Sequence, residues 1–159
     1  MLVVEFAGLG QLHALVRPVE QPDLQQVFEQ RLRLSPGART LLAGAKAAGL
    51  RTLLVSGGFT YFTERLQTEL SLDISRANLL EVHQGKLTGR VSGQVVDAQI
   101  KRATVEAECA ALGASSSAAI VIGDGANDLA MMSVAGLSVA FRAKPVVQLQ
   151  ASEIGRAHV

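Results

Sequence analysis

Acidic, amide and glycine residues are concentrated in one short segment, Gly123-Asp124-Gly125-Ala126-Asn127-Asp128. An apolar run of the kind found in buried strands precedes it, and Asp128 falls in the first turn of the next predicted helix. Carboxylate oxygens suit Mg²⁺, which binds few protein ligands and completes its shell with water and substrate oxygens. An acidic residue at a helix start also acts as a cap, but capping explains only one aspartate. Asp124 and Asp128 are therefore the candidate metal ligands.

A second polar segment, Ser56-Gly57-Gly58, ends the apolar run Leu53–Val55 and precedes a predicted helix. Glycine lets the backbone approach a ligand closely, and the free N–H groups at a helix start favour an anion. The Ser56 hydroxyl can donate one more hydrogen bond. The segment therefore predicts a phosphate site, although a plain tight turn would also explain these three residues.

Lys101 is the third candidate, because it opens a predicted helix, where the helix dipole disfavours a cation. A solvated lysine beside Arg102 is the ordinary alternative. Close to a phosphate and several carboxylates, the same lysine would be a fixed positive charge that balances anions.

The predicted elements that position these residues alternate between strands and helices. This alternation argues for an α/β fold, a doubly wound parallel sheet with helices on both faces. Ligands bind beyond the carboxyl ends of the strands in such sheets, and both glycine-rich segments fall there. The predicted helices span 24–32, 36–48, 60–70, 99–112 and 127–135; the predicted strands span 53–55, 119–122 and 137–141, with a hairpin at 79–91. Ser35 is the predicted cap of the second helix, and Gly49 its terminal glycine.

Composition narrows the class of protein. The 159 residues are 48% hydrophobic with a formal net charge of +1, which is typical of one globular domain. Nothing in this charge balance directs the chain to nucleic acid or a membrane surface. Cys109 is the single cysteine, and we expect its thiol to be buried. The three histidines lack metal-ligand spacing. A cytoplasmic location is the default expectation; the sequence does not fix the oligomeric state.

Taken together, these motifs resemble a known family. Ser56-Gly57-Gly58-Phe59, Lys101 and the 123–128 segment match, in order and spacing, the second to fourth motifs of haloacid dehalogenase-type phosphatases. Within that family the chain resembles the bacterial phosphoserine phosphatase branch most closely. The segments that carry this closer resemblance are 31–38, Ala77-Asn78, Leu87-Thr88-Gly89, Val96-Asp97 and Ala143-Lys144-Pro145.

The resemblance implies a role for each candidate residue. Ser56, Gly57 and Gly58 would hold the phosphate of a small phosphomonoester, and Lys101 would neutralise it. Asn127 would contact substrate or phosphate. Asp124 would bind Mg²⁺, and Asp128 would bind it or orient its waters. The family attacks phosphorus with an aspartate, and a second aspartate two residues later acts as general acid and base.

The chain departs from this family at the first motif. No Asp-x-Asp-x-Thr sequence is present, and the only acids before Leu24 are Glu5, Glu20 and Asp23. Leu2-Val3-Val4-Glu5-Phe6 mimics a first strand, but Ala7-Gly8-Leu9-Gly10 follows it where the family requires carboxylates. We therefore expect a chain in which the central first strand and most of the helical cap are missing or damaged, and which is itself inactive.

This interpretation divides the chain into three parts. Residues 1–22 are a degraded cap remnant or an out-of-frame segment, residues 23–151 a partial phosphatase core, and residues 152–159 a non-native tail. The last seven residues resemble the translation of a sequencing adapter. Without its central strand, the isolated chain is expected to fold poorly, because unpaired strand edges are costly.

Two other functions remain open at this point. One is a related phosphatase or phosphotransferase with another small substrate, which only the cap would distinguish. The other is a phosphate- or Mg²⁺-binding module without catalysis. A scaffold without a ligand would leave both glycine-rich segments unexplained.

Overall fold

The described part of the chain forms seven strands, and the central ones are rich in aliphatic residues. The structure is a computed structural model that describes residues 1–5, 21–84 and 86–155. The strands are β1 (Leu2–Val4), β2 (Thr52–Phe59), β3 (Ile74–His83), β4 (Lys86–Ser92), β5 (Ile120–Gly123), β6 (Leu137–Phe141) and β7 (Glu153–Gly155). They make one sheet in the order β4-β3-β2-β1-β5-β6-β7. All neighbours are parallel except β3 and β4, which form the predicted hairpin.

Helices cover both faces of the sheet, as the alternating sequence pattern predicts. They are α1 (Gln21–Arg31), α2 (Ala38–Ala47), α3 (Thr60–Leu70), α4 (Ala98–Ala111), α5 (Leu129–Met132) and α6 (Pro145–Gln148). Successive strand residues point to opposite faces. Val3 and Val121 accordingly join the core beneath α4, α5 and α6, whereas Leu2 and Leu54 pack with α1, α2 and α3. The α/β doubly wound fold is thus confirmed.

The central position of the sheet corrects one expectation. The first strand is not missing, because β1 lies between β2 and β5 and pairs with both in parallel. Val3 is fully buried there. Three aliphatic residues suffice for this strand, since neighbours on both sides satisfy its backbone. Residues 6–20, which contain most of the predicted cap remnant, lie outside the described residues.

Several local predictions also need correction. Ser35 does not cap α2; the cap position is Gly37, at φ 84°, and α2 begins at Ala38. The helix predicted over 127–135 is a 3₁₀ turn at Ala126–Asp128 followed by the short α5. Gly49 does follow the end of α2 with φ 72°, as predicted.

The C-terminal part of the described chain belongs to the sheet. Residues 153–155 of the predicted tail form the edge strand β7, which pairs with β6. The division of the chain into three parts remains a prediction. Cys109 is buried, as expected, and burial raises the pKa of its thiol. Among the described residues, no helix is both long and apolar enough to cross a membrane.

Candidate active site

Three neighbouring strands end at the same edge of the sheet, and each delivers a polar residue there. Val4 of β1 is in register with Leu54 of β2 and with Ile122 of β5. Glu5 follows Val4 directly, while Ser56 and Asp124 each lie two residues beyond those partners. Adjacent strands are about 4.8 Å apart, so the three residues lie side by side along this edge. Carboxylate oxygens of Glu5 and Asp124 lie within 4.8 Å of each other and mark one small volume.

Lys101 reaches this volume from the first turn of α4. Its side chain is fully buried, and its ammonium lies 2.5 Å from a carboxylate oxygen of Glu5 and 2.8 Å from Oδ1 of Asp128. Asp97 starts the helix by accepting a hydrogen bond from the Ile100 amide at 2.9 Å. A fully buried lysine requires an anionic partner. Asp128 provides one, and the Glu5 carboxyl group is a second hydrogen-bond partner.

Asp128 binds the lysine through one oxygen and the backbone through the other. Its Oδ2 accepts hydrogen bonds from the Asp124 and Gly125 amides at 3.1 and 3.0 Å. This close approach explains the glycine that ends β5, because a Cβ at Gly123 would lie 2.6 Å from the Asp128 Cβ. The 123–128 segment is therefore folded tightly around the Asp128 carboxylate.

Burial and mutual interaction shift the carboxyl groups in different directions. Burial, together with the hydrogen bond and charge of Asp128, raises the pKa of Glu5 to about 8 despite the opposing effect of Lys101. Burial also pushes the pKa of Asp128 upward, but the hydrogen bond with Glu5 and the Lys101 charge hold it below its ordinary value. Burial and the nearby Asp128 charge raise the pKa of Asp124. Opposed shifts of this kind are typical of functional sites.

The predicted phosphate segment is the irregular end of β2 and not a separate turn. The strand continues to Phe59, and its register with β3 shifts between Val55 and Phe59. The Gly58 amide donates to Oγ of the buried Ser56 at 3.0 Å. Irregular strand ends of this kind are common beside active sites, where they redirect a side chain.

The carboxylates also fit the magnesium ion that the sequence predicts. Ligand oxygens of Glu5, Asp124 and Asp128 all lie within 4.8 Å of one another. One hard cation can bridge oxygens at this spacing, and carboxylates are the ligands that Mg²⁺ prefers. Lys101 supplies the positive charge that keeps so many acids together in a buried place.

The structure brings three of the seven predicted site residues into one cluster, while Ser56, Gly57 and Gly58 lie on β2. Lys101 and Asp128 are in direct contact, and Asp124 adjoins them through the 123–128 segment. Asn127 is exposed at the rim, with its side-chain oxygen folded against Gly125.

Glu5 is a site residue that the sequence motifs did not identify. Its signal was an apolar run that ends in an acid, the same pattern that precedes Asp124.

Comparison with known proteins agrees with this geometry. The sequence profile of the haloacid dehalogenase-like hydrolases matches residues 9–133. The chain belongs to the haloacid dehalogenase-like hydrolase family. A phosphoserine phosphatase of Polaromonas sp. is 49% identical over 148 residues, which are 91% of this chain and 63% of that protein. A phosphoserine phosphatase of Albidiferax ferrireducens is 46% identical over 145 residues, which are 89% of this chain and 61% of that protein. The chain thus spans about three fifths of the length of these relatives.

Solved structures show the same similarity. An unliganded crystal structure of a probable phosphoserine phosphatase from Vibrio cholerae superposes with a TM-score of 0.81 at 41% identity, covering 87% of this chain and 42% of the other. A substrate-bound phosphoserine phosphatase superposes with a TM-score of 0.83 at 31% identity. The superposition covers 90% of this chain and 68% of the other. The haloacid dehalogenase fold predicted from the motifs is therefore confirmed.

Proposed function

We propose that the whole protein hydrolyses a small phosphomonoester, with O-phospho-L-serine as substrate and L-serine and phosphate as products. The observation that carries this proposal is the contact of Lys101 with the 123–128 carboxylates at the edge of the sheet to which β2 also brings the Ser56 segment. The phosphoserine phosphatases to which the chain is similar support the choice of substrate. This reaction would be the last step of serine biosynthesis, and the proposal places it in the cytoplasm.

Phosphate binding is assigned to the end of β2 and to Lys101. The Ser56 hydroxyl and the Gly57 and Gly58 backbone would face the phosphate, and Asn127 at the rim would contact the substrate. The Lys101 ammonium would neutralise the charge that develops on the transferring group. Because that ammonium is fully buried, its charge acts with little screening by solvent.

Magnesium binding is assigned to Asp124 and Asp128. Both oxygens of Asp128 already accept hydrogen bonds from protein donors, so we assign direct coordination to Asp124 and orientation of the bound waters to Asp128. Bound Mg²⁺ would polarise the phosphoryl oxygens and balance their charge.

Turnover by this chain alone is not expected. Glu5 places a carboxylate at the end of the central strand, but its side chain is one methylene longer than aspartate. Ala7 has no acidic group to act as general acid and base. A second candidate function follows from these two residues: the chain binds phosphate and Mg²⁺ without hydrolysis.

The experiment that separates these candidates restores the missing groups. Phosphate release from phosphoserine and from p-nitrophenyl phosphate is measured, with Mg²⁺, for the chain and for the double variant Glu5→Asp/Ala7→Asp. The chain should release none above its Asp124→Ala control, whereas the double variant should hydrolyse at least p-nitrophenyl phosphate.

Adding Asp124→Ala to the double variant should abolish that gain. If the double variant binds phosphate but stays inactive, the hydrolase proposal fails and the binding function is favoured. Turnover by the unaltered chain would contradict the expectation that Glu5 and Ala7 disable it.

A further inference from the structure

Asn78 is a buried amide that bridges two backbone segments of the proposed phosphate site. It lies on β3, beside the irregular end of β2, and only 5% of its surface is exposed. Its Nδ2 donates to the Gly57 carbonyl at 2.8 Å. Its Oδ1 accepts from the Val96 amide, also at 2.8 Å. A single short side chain thus uses both its donor and its acceptor on the backbone.

The first bridge controls the peptide between Gly57 and Gly58. A peptide unit is planar, so its carbonyl and its N–H point in opposite directions. Asn78 holds the carbonyl, and Oγ of Ser56 accepts the N–H at 3.0 Å. Because a hydroxyl has one hydrogen and two lone pairs, accepting from Gly58 leaves the Ser56 hydrogen free to donate to a ligand.

The second bridge fixes the segment that leads into α4. Val96 directly precedes Asp97, whose carboxylate starts the helix that carries Lys101 in its first turn. The Lys101 amide in turn donates to the Asp97 carbonyl at 3.0 Å. Gly57 also lies close to this segment, since a Cβ there would be 3.7 Å from the Val96 carbonyl oxygen.

We propose that Asn78 is a positioning residue of the phosphate site, which sets the orientation of the Ser56 hydroxyl and holds the Lys101 helix against it. This inference rests on the proposed phosphate site. Asn78 does not touch the ligand; it acts through the Gly57 carbonyl and the Val96 amide. Aspartate at this position would retain the acceptor for Val96 but lose the donor to Gly57, and alanine would lose both.

The experiment measures the affinity of the 159-residue chain for inorganic phosphate by calorimetry, in parallel with urea unfolding. Asn78→Ala and Asn78→Asp are compared with Asp73→Ala. Asp73 provides a matched control because its carboxylate also links β2 to the start of β3, through the Thr52 amide and hydroxyl at 2.7 Å each, but at the far end of these strands. A second readout is the amide NMR resonance of Gly58, which reports its hydrogen bond to Ser56.

Both Asn78 variants should weaken phosphate binding by about three- to tenfold, the effect of one lost hydrogen bond of ordinary strength. Both should also shift the Gly58 resonance. Asp73→Ala should change phosphate affinity by less than about twofold, since distant sites act independently, whatever stability it loses. Should Asn78→Ala not fold, Asn78→Asp decides.

Phosphate affinity and a Gly58 resonance that stay unchanged in a folded Asn78 variant would overturn the inference. An equal loss of affinity in Asp73→Ala would show that Asn78 only stabilises the strands, and this result would also overturn the inference. If the unaltered chain binds no phosphate, the proposed phosphate site fails, and the Gly58 resonance alone then decides whether Asn78 positions this segment.

Discussion

The Lys101 ammonium lies 2.5 Å from a carboxylate oxygen of Glu5, although 96 residues separate them in the chain. Both side chains are largely excluded from solvent, and Asp128 contacts the lysine from another side at 2.8 Å. This contact joins the central strand to α4 and the 123–128 segment. It also places an acid at the carboxyl end of the strand on which the family carries its nucleophile.

Replacing the lysine tests how far the site depends on this charge. Lys101→Met keeps the apolar part of the side chain but leaves the Asp128 carboxylate buried without its cation. Breaking a buried pair in this way costs about 3–5 kcal/mol of the free energy of unfolding. Urea denaturation gives this value directly. The matched control is Arg102→Met, whose exposed pair with Glu106 should contribute less than about 0.5 kcal/mol; equal losses in the two variants would contradict the buried role of Lys101.

The raised pKa of Glu5 predicts a pH dependence of stability in metal-free protein. The folded pKa of Glu5, about 8, lies above its ordinary value of 4.5, so the native state holds a proton that the unfolded chain releases between these values. The stabilising contribution of Glu5 is therefore complete below pH 4.5 and is lost as pH rises towards 8. Glu5→Gln should flatten this decline.

The measurement is urea unfolding from pH 4.5 to 9 with a chelator present. Glu64→Gln makes the same chemical change at an exposed position of α3 and should leave the decline unchanged. A decline that is equally steep in Glu5→Gln and the unaltered chain would show that Glu5 ionises normally.

The sequence predicted the alternating fold and both glycine-rich strand ends because these signals are local. β2, β5 and β6 are apolar runs, and the residues that follow them are polar or glycine. It failed at β1, since three residues give no periodicity and their burial depends on two strands distant in sequence. Glu5 was set aside with that strand. Asn78 lies outside local patterns too, because its partners Gly57 and Val96 are 21 and 18 residues away.

The glycine at the end of β5 allows a test of close packing around Asp128. A Cβ at Gly123 would lie 2.6 Å from the Asp128 Cβ and 2.8 Å from its Oδ2. Gly123→Ala must therefore displace the carboxylate and should cost about 1–3 kcal/mol of stability. Gly44 supplies the opposite control, because it lies within α2 with no atom near its missing Cβ. Gly44→Ala should stabilise the chain by about 0.5–1 kcal/mol, as measured by thermal unfolding; a Gly123→Ala variant as stable as the unaltered chain would contradict this packing.

Magnesium binding is tested most directly at Asp124, which is half-buried beside the fully buried Asp128. A cation that binds only the folded state raises the midpoint of thermal unfolding, and the rise grows with the logarithm of the cation concentration relative to its Kd. Mg²⁺ should therefore raise the midpoint of the unaltered chain, and Asp124→Asn should abolish the rise. Asp97→Asn is the matched control, since Asp97 is exposed and caps α4, a role that asparagine fills equally well. An equal rise in Asp124→Asn would show that Mg²⁺ binds elsewhere.

Ca²⁺ gives a further comparison. It prefers more oxygen ligands than Asp124 and its neighbours supply, so its effect on the midpoint should be smaller than that of Mg²⁺.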